Sequence, residues 1–249
     1  KEKIIKKVKF NNMFFIEQNS ETIRFMCFIL AIILFSIYEI YFPYYKKYKK
    51  NYSRLAVNFL FIVFDTIIVR LVFPVLVVGA ALICSKYDIG ILNLFSLPLW
   101  LSIIIALLLL DLGIWLQHYI FHYNCMFWVF HKIHHSDEKM DFSTALRFHP
   151  IEIILSTIIK SFYVILIGPP VVAVIIFEIL INVVSIFNHS NIYIPKRFEL
   201  ILRKIIVTPN MHRIHHSIVK KETNSNFGFN LSIWDRIFGK YCHITHEKE

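Results

Sequence analysis

The residues of this sequence that are best suited to chemistry are its histidines. Ten of the twelve lie between positions 118 and 216, and eight of these form three short clusters: HxxxH within QHYIFH, HxxHH within HKIHHS and HxxHH within HRIHHS. Residues at i, i+3 and i+4 share one face of a helix, so each cluster would direct two or three imidazoles into one volume. This arrangement favours a metal site.

The two HxxHH clusters lie in hexapeptides, at 131–136 and 212–217, that differ by a single Lys/Arg exchange. The similarity stops at the hexapeptides, because WVF precedes the first and PNM precedes the second. We therefore interpret them as two faces of one cage, each contributing three imidazoles, and not as copies of a duplicated unit.

The number and type of nitrogen ligands indicate the metal. A zinc site uses three or four protein ligands, so eight or nine imidazoles suit two ions better than one. An imidazole set with few carboxylates fits iron more naturally than magnesium, calcium or manganese, and two adjacent irons can activate dioxygen. Burying eight imidazoles beside apolar segments without such partners would be costly. The isolated His243 and His246 are better interpreted as ordinary polar side chains.

Two other classes stay open at this point. Haem ligation would explain one histidine from each of two helices, but it does not explain adjacent HH pairs. A metal transporter or a noncatalytic metal-binding protein would need polar residues inside the spans, and Asp65, Arg70 and Glu178 form no obvious path. The HExxH and GxSxG motifs are absent, which disfavours that kind of zinc protease and the simplest lipase.

A strongly apolar chain must position these histidines. Hydrophobic residues make up 57%, charged residues only 18%, and the mean hydropathy is +0.58, which indicates a membrane protein. Segments 23–42, 55–83 and 91–116 are each long enough to span a bilayer. The segment 151–187 is too long for one span, and its GPP sequence at 168–170 predicts a membrane hairpin with halves of roughly 16 residues.

The hairpin also predicts sidedness. The histidine-rich segments 118–150 and 189–249 flank it and should therefore lie on the same side of the membrane. The Lys/Arg bias of 196–240 and the basic loop 46–54 place that side in the cytoplasm. The N-terminal KEKIIKKVK conflicts with this topology, so either 23–42 does not cross once or the N-terminus is an exception.

The segment 91–116 should extend as one rigid helix through HxxxH into the aqueous phase, with Asp111 two turns before His118 on a similar face. No composition shift or flexible linker marks a boundary. We therefore expect one domain over 1–249, with membrane helices in 1–116 and the histidine region in 117–249.

The net charge and the cysteine spacing exclude some kinds of partner and site. The formal net charge is +10, but the basic residues flank apolar segments, which indicates juxtamembrane charge and no nucleic-acid partner. The four cysteines show no CxxC spacing and are interpreted as free or buried thiols.

Six segments together resemble the membrane fatty acid hydroxylase/sterol desaturase superfamily. They are HYIFH (118–122), WVFHKIHHS (128–136), TALRFHPIE (144–152), FNHSN (187–191), TPNMHRIHHS (208–217) and NFGFNLSIWDRIFGKY (226–241). They cover about half of the chain in the order and approximate spacing of that superfamily. The resemblance implies an all-α fold, an integral membrane bundle of three to five transmembrane or re-entrant helices with a cytosolic helical cap that holds two metals.

The resemblance also implies site residues. The implied metal ligands are nine histidines: His118, His122, His131, His134, His135, His189, His212, His215 and His216. His149 is a further candidate, which could instead belong to a helix start ahead of Pro150. Asn226 and Asp235 are candidates for accepting an imidazole N–H, with Trp234 beside them. The alternative for these three is that they fold the cap onto the histidine helices.

By the same resemblance, the chain would be an O2-dependent oxidoreductase with two iron ions in a bacterial inner membrane or the endoplasmic reticulum. It would hydroxylate or desaturate a lipid, such as a fatty acyl, sterol-like or carotenoid substrate. Electrons would come from a separate donor, a ferredoxin or a cytochrome b5-like protein, and the basic cytoplasmic surface would attract an acidic donor.

Overall fold

The computed structural model of the protein describes residues 19–46, 51–73, 76–137 and 139–243. Within these ranges the chain is helical and contains no β-strand beyond two isolated bridges, which confirms the expected all-α class. The helices are α1 (Ser20–Tyr41), α2 (Tyr52–Val72), α3 (Val77–Tyr87), α4 (Leu99–Tyr123), α5 (Cys125–His131), α6 (Pro150–Ile167), α7 (Val171–His189), α8 (Lys196–Leu202), α9 (Pro209–His215), α10 (Lys220–Thr223) and α11 (Ile233–Ile237). Three 3-10 turns cover Ile91–Leu94, His134–Ser136 and Phe142–Leu146.

Five stretches of the described chain are long and apolar enough to cross a membrane. They are Ser20–Tyr41, Tyr52–Leu94, Leu99–Tyr123, Pro150–Ile167 and Val171–His189. Large apolar side chains such as Leu30, Leu34 and Leu71 are exposed on the outside of these helices, as expected where the surrounding solvent is lipid. The protein is therefore a multi-pass membrane protein.

The predicted span 55–83 lies within the apolar stretch Tyr52–Leu94, but it is formed by two helices. The helix α2 ends at Val72, and the 11-residue α3 begins only at Val77. Pro74 lies between them, and a proline both lacks the N–H that would continue the helix and clashes with the preceding turn. The next predicted span, 91–116, is shifted, because α4 begins after Pro98 and continues to Tyr123. As expected, α4 carries the HxxxH cluster on the same rigid helix.

The predicted hairpin at 151–187 is present. The helix α6 ends at Gly168, whose φ of +64° is left-handed, and α7 begins directly after Pro170. The hairpin tip packs against the chain before the first 3-10 turn. A Cβ on Gly90 would lie 2.3 Å from the Cα of Gly168, so glycine is needed for this approach.

Small and branched apolar residues fill the core between α3, α4, α6 and α7. Its most buried members include Ala81, Ala106, Val164, Ala173 and Val174. Small side chains let helices approach closely in an apolar environment, where packing holds them together.

The cap, which we define as residues 124–149 and 190–243, lies at one end of the bundle. The N–H of Tyr193 donates to the carbonyl of Phe42 (2.8 Å), which ties the cap to the end of α1. Arg54 near the start of α2 pairs with Asp137 (2.5 Å) and with Asp141. The two histidine-rich segments therefore share one end of the bundle, as the hairpin predicted.

The helix α1 is continuous over 22 residues and reaches the cap end with its C-terminus. The basic N-terminal segment, whose side was left open, lies outside the described residues.

Candidate metal centre

Nine histidines from distant parts of the chain meet where the membrane helices join the cap. They form two groups, and within each group the ligand nitrogens lie within 4.8 Å of one another. Site 1 contains His118, His122, His131, His135 and His215, and site 2 contains His134, His189, His212 and His216. These are the nine residues named from the sequence, and each is buried or half-buried.

Each HxxHH cluster contributes to both sites. In the first, His131 and His135 belong to site 1, whereas His134 belongs to site 2. The second cluster has the reverse division, with its i and i+4 members in site 2 and its i+3 member in site 1. Because neighbouring residues of a helix point about 100° apart, an HH pair separates its two rings between two ions. Neither site can be assembled without both clusters.

Capping residues set where the helices that carry the two HxxHH clusters begin. Asn124 caps α5 by accepting from the N–H of Met126 (3.0 Å), and α5 ends at the first histidine of its cluster. Thr208 is the N-cap of α9, and Pro209 occupies the first helical position, where the missing N–H has no cost. The helices α4 and α7 supply the other three histidines, His122 and His189 from their last turns and His118 from one turn earlier in α4. The first cluster is not one continuous α-helix, because a 3-10 turn begins at His134.

Site 1 contains two imidazoles whose lone pairs face each other. Nδ1 of His118 lies 2.8 Å from the carbonyl oxygen of Phe227, and Nδ1 of His215 lies 2.7 Å from that of Ser225. A carbonyl oxygen only accepts, so each Nδ1 donates and each neutral ring has its lone pair on Nε2. The two Nε2 atoms are 3.0 Å apart, which requires a proton or a metal ion between them.

Site 2 repeats this arrangement with different residues. Nδ1 of His134 lies 3.2 Å from the carbonyl oxygen of Arg147, and Nδ1 of His189 lies 2.7 Å from that of Ser185. The lone pairs on Nε2 again face each other, at 3.0 Å. Both sites therefore present converging acceptors that a cation would satisfy.

A proton is a poor occupant of these positions near neutral pH. Burial lowers the pKa of His215 to about 3 despite its hydrogen bond to Ser225, and the neighbouring His131 and His189 lower it further. Burial, reinforced by neighbouring imidazoles, also lowers the pKa of four further cap histidines, which are His134, His135, His212 and His216. A metal dication is the better occupant.

The distances fit a transition-metal ion in each site. Nitrogen ligands 90° apart on an ion with metal–nitrogen bonds of roughly 2.0–2.1 Å would lie about 3.0 Å from each other. The facing Nε2 atoms of the two groups are separated by 2.9 to 3.1 Å. Imidazole nitrogen suits iron, zinc, copper and nickel, so the residues present fit a pair of such ions.

Sequence reasoning missed the groups that accept the ring protons. Glu152 lies with Oε1 2.7 Å from Nδ1 of His131, and its side chain is buried. A signal existed, because an acidic residue in the first turn of an apolar helix needs a partner there. The four main-chain carbonyls that accept from the other rings could not be found from the sequence. Every residue has a carbonyl, and only the fold brings a particular one against a ring.

Asp235 contacts no imidazole directly, so it does not accept a ring N–H as one sequence hypothesis proposed. Its carboxylate accepts from Nε1 of Trp115 (2.8 Å) and from the N–H groups of Phe227 (2.8 Å) and Gly228 (2.9 Å). Burial raises the pKa of Asp235 to about 6, and these hydrogen bonds oppose the rise. Asp235 thus holds the loop whose Phe227 carbonyl orients His118.

Asn226 and Trp234 also stabilise the cap through hydrogen bonds. Asn226, at φ +52°, donates to the carbonyls of Met211 (3.1 Å) and Cys242 (2.8 Å). Nε1 of Trp234 donates to Asp111 (2.8 Å), so Asp111 anchors α11 to the membrane helix and lies outside both histidine groups. These contacts fit the alternative interpretation, in which the segment 226–241 fastens the cap to the histidine helices.

His149 lies outside both groups. Its Nδ1 accepts from the N–H of Ile151 (3.1 Å) and caps α6 ahead of Pro150. The structure thus gives it the helix-start role. His243 is exposed, and His246 lies outside the described residues.

A sequence profile of the fatty acid hydroxylase family matches residues 103–240, more than half of the chain. The chain belongs to the fatty acid hydroxylase family. The region matched by the fatty acid hydroxylase profile begins within α4 and ends after α11, so it contains both histidine groups and the membrane hairpin. The superfamily indicated by the histidine motifs is confirmed.

Three relatives illustrate the range of the fatty acid hydroxylase family and its neighbours. The ornithine lipid hydroxylase OlsE of Rhizobium tropici is 28% identical over 58% of this chain and 43% of its own length. The alkylglycerol monooxygenase of Homo sapiens is 34% identical over 60% of this chain and 33% of its own length. The Delta(7)-sterol 5(6)-desaturase of Eremothecium gossypii is 26% identical over 59% and 39%, respectively. This chain therefore spans less than half the length of these curated relatives. No solved structure matches it.

Proposed function

We propose that this protein is an O2-dependent, di-iron membrane oxidoreductase that hydroxylates or desaturates a lipid. The observation that carries the proposal is the facing pair of carbonyl-oriented imidazoles in each histidine group, which calls for one cation per group. The relatives supply the reaction class, because they are named as a lipid hydroxylase, a monooxygenase and a desaturase.

Two iron ions, when bound, would supply the activation of dioxygen and the oxidation of a substrate carbon–hydrogen bond. The protein's own contribution is to bring nine imidazoles together and to fix the orientation of several of them. The carbonyls of Phe227 and Ser225 orient two rings in site 1 with Nε2 directed inward, and those of Arg147 and Ser185 orient two rings in site 2. Burial of the rings keeps water away from the ligand nitrogens.

A lipid is the substrate class that the position of the site supports. Exposed apolar side chains continue along α4 to Leu116 and Ile120, which lie two residues before and two residues after His118. The apolar surface of this helix therefore reaches the level of the histidine groups, where an acyl chain, a sterol-like ring system or a carotenoid could approach them. Ions bound there would lie within reach of lipid carbon atoms.

The surface of the cap supports a separate acidic electron donor, a ferredoxin or a cytochrome b5-like protein. Every acidic side chain of the described cap is buried, whereas eight basic side chains are exposed. The exposed residues are Lys132, Lys139, Lys196, Arg197, Lys204, Lys220, Lys221 and Arg236. A surface of one charge sign steers an oppositely charged partner toward it. The same basic bias favours a cytoplasmic position for the cap.

The proposal is tested by the lipids and the metal content of cells that produce the protein. Mass spectrometry should detect lipids that gain one oxygen atom or lose two hydrogen atoms only when the intact chain is present. His134→Ala and His215→Ala, one from each site, should abolish this product in protein that still elutes as a folded species from a sizing column. Undiminished product in either variant, or purified protein that binds fewer than two metal ions after iron is supplied, contradicts the proposal.

A further inference from the structure

The proton acceptor of His131 differs from the other acceptors identified in the two sites. Nδ1 of His131 lies 2.7 Å from Oε1 of Glu152, whereas the other four Nδ1 partners are neutral main-chain carbonyls. The side chains of His131 and Glu152 are only 2% and 5% exposed. The second oxygen of Glu152 has no hydrogen-bond partner among the described residues, so the carboxylate is committed to this one ring.

The two sites are therefore unequal in ligands and in charge. Site 1 has five imidazoles, one of which is backed by a carboxylate, and site 2 has four imidazoles. Asp65 on α2 is a second buried carboxyl group close to Glu152. On the side of site 2, Asp137 interacts with His189, but Asp137 is already paired with Arg54 at 2.5 Å.

A carboxylate behind an imidazole strengthens that ring as a metal ligand. It draws the Nδ1 proton toward itself, raises the electron density at Nε2 and fixes the ring in one orientation. It also places a negative charge near a dication in a region of low dielectric, where charge–charge interactions are strong. A main-chain carbonyl provides the orientation without the charge.

We propose that the two metal positions have different affinities, that site 1 is the tighter one, and that Glu152 is the positioning residue responsible. The inference uses from the proposed function only that both sites hold a metal ion. It requires no turnover, and metal retention alone tests it.

The experiment measures metal retention in the full chain. Purified protein in detergent is loaded with Zn²⁺, challenged with increasing chelator, and assayed for residual zinc per chain by mass spectrometry. The wild type should lose its two ions in two steps. His189→Ala, in site 2, should retain only the tightly held ion, and His122→Ala, in site 1, should retain only the weakly held one.

Glu152→Gln keeps an oxygen acceptor but removes the charge. It should move the tight step to a 10- to 100-fold lower chelator concentration, the usual effect of losing such a partner, and leave the weak step in place. Glu39→Gln is the matched control, because Glu39 is a buried carboxylate that accepts from the N–H groups of Phe142 and Asn191 and belongs to neither histidine group. Its retention profile should equal that of the wild type. Glu152→Asp, which keeps the charge on a shorter side chain, should retain the tight step better than Glu152→Gln.

Loss of both ions in a single step from the wild type would overturn the inference, as would an unchanged tight step in Glu152→Gln. If Glu152→Gln does not fold, the comparison of His189→Ala with His122→Ala decides the order of affinities. The proposed function can fail independently of this inference. A protein that binds two metal ions with different affinities but forms no oxidised lipid contradicts the oxygenase. A protein that forms the lipid product but binds its two ions with equal affinity contradicts the inference.

Discussion

The imidazole rings of His135 and His216 stack with their centroids 4.3 Å apart and their planes at 16°, although His135 belongs to site 1 and His216 to site 2. Neither ring has a hydrogen-bond partner for its buried nitrogens among the described residues. A cation in each site would give each ring a partner, and the two sites share this pair of rings as a wall. A change on one side of the wall should affect the other.

Replacing His135 by alanine should disturb both sites. His135→Ala removes a ligand of site 1 and the ring that supports His216, so we expect at least tenfold weaker retention of the site 1 ion and a smaller loss at site 2. Residual zinc per chain after a chelator challenge measures both effects. The control is His149→Ala, which removes the cap of α6 and a ring contact with Phe130 and should cost about 1 kcal/mol of stability while both ions stay bound. Wild-type retention of both ions by His135→Ala would contradict a shared wall.

Asp235 should be important for stability although it lies outside the histidine groups. Asp235→Ala leaves three buried donors, on Trp115, Phe227 and Gly228, without an acceptor, at about 1–3 kcal/mol each. We expect a clear fall in the thermal unfolding midpoint in detergent and weaker metal retention at site 1. Trp115→Phe removes one of these donors together with its need for a partner, so it should cost much less. Equal midpoints for the two variants would argue against this role.

The hairpin tip should tolerate no side chain at Gly168. Gly168 and Gly239 have nearly the same left-handed φ, +64° and +65°, but a Cβ at Gly168 would lie 2.3 Å from the carbonyl oxygen of Ile89, whereas a Cβ at Gly239 meets nothing within 4 Å. Gly239→Ala should therefore show only the backbone strain, about 1–2 kcal/mol. Gly168→Ala should show the same strain and a clash in addition, with a markedly lower unfolding midpoint. Similar midpoints for the two variants would mean that the tip is not closely packed.

The metal-free protein should be sensitive to acid. Five cap histidines, which are His134, His135, His212, His215 and His216, have a lowered pKa in the fold, about 3 for His215, against about 6.5 in the unfolded chain. Below pH 6.5 the unfolded chain therefore takes up protons that the folded chain does not, so the free energy of unfolding should fall as the pH drops from 6.5 toward 3. Unfolding midpoints of chelator-treated protein at pH 7.5, 6 and 5 measure this effect. A constant midpoint over that range would contradict the burial of neutral imidazoles.

Several features of the fold followed from the sequence because their causes are local. The apolar segments and the GPP sequence predicted the membrane helices and the hairpin, since a proline cannot continue a helix. Where the outcome depended on the position of one break, as at Pro74 and Pro98, the helix bounds were wrong or shifted. The histidine spacing predicted a cage with both HxxHH clusters because i, i+3 and i+4 share a face whatever surrounds them.

Which histidine belongs to which site was decided only by the tertiary structure. Membership depends on how α4, α7 and the two clusters cross, and His134 and His135 are neighbours in sequence but face different groups of partners. The carbonyl acceptors also depend on the fold, because the contact between His118 and Phe227 joins residues 109 positions apart. Ligand type is a property of each residue and can be read along the chain. Ligand geometry and orientation are properties of contacts between distant segments, and those exist only once the chain has packed.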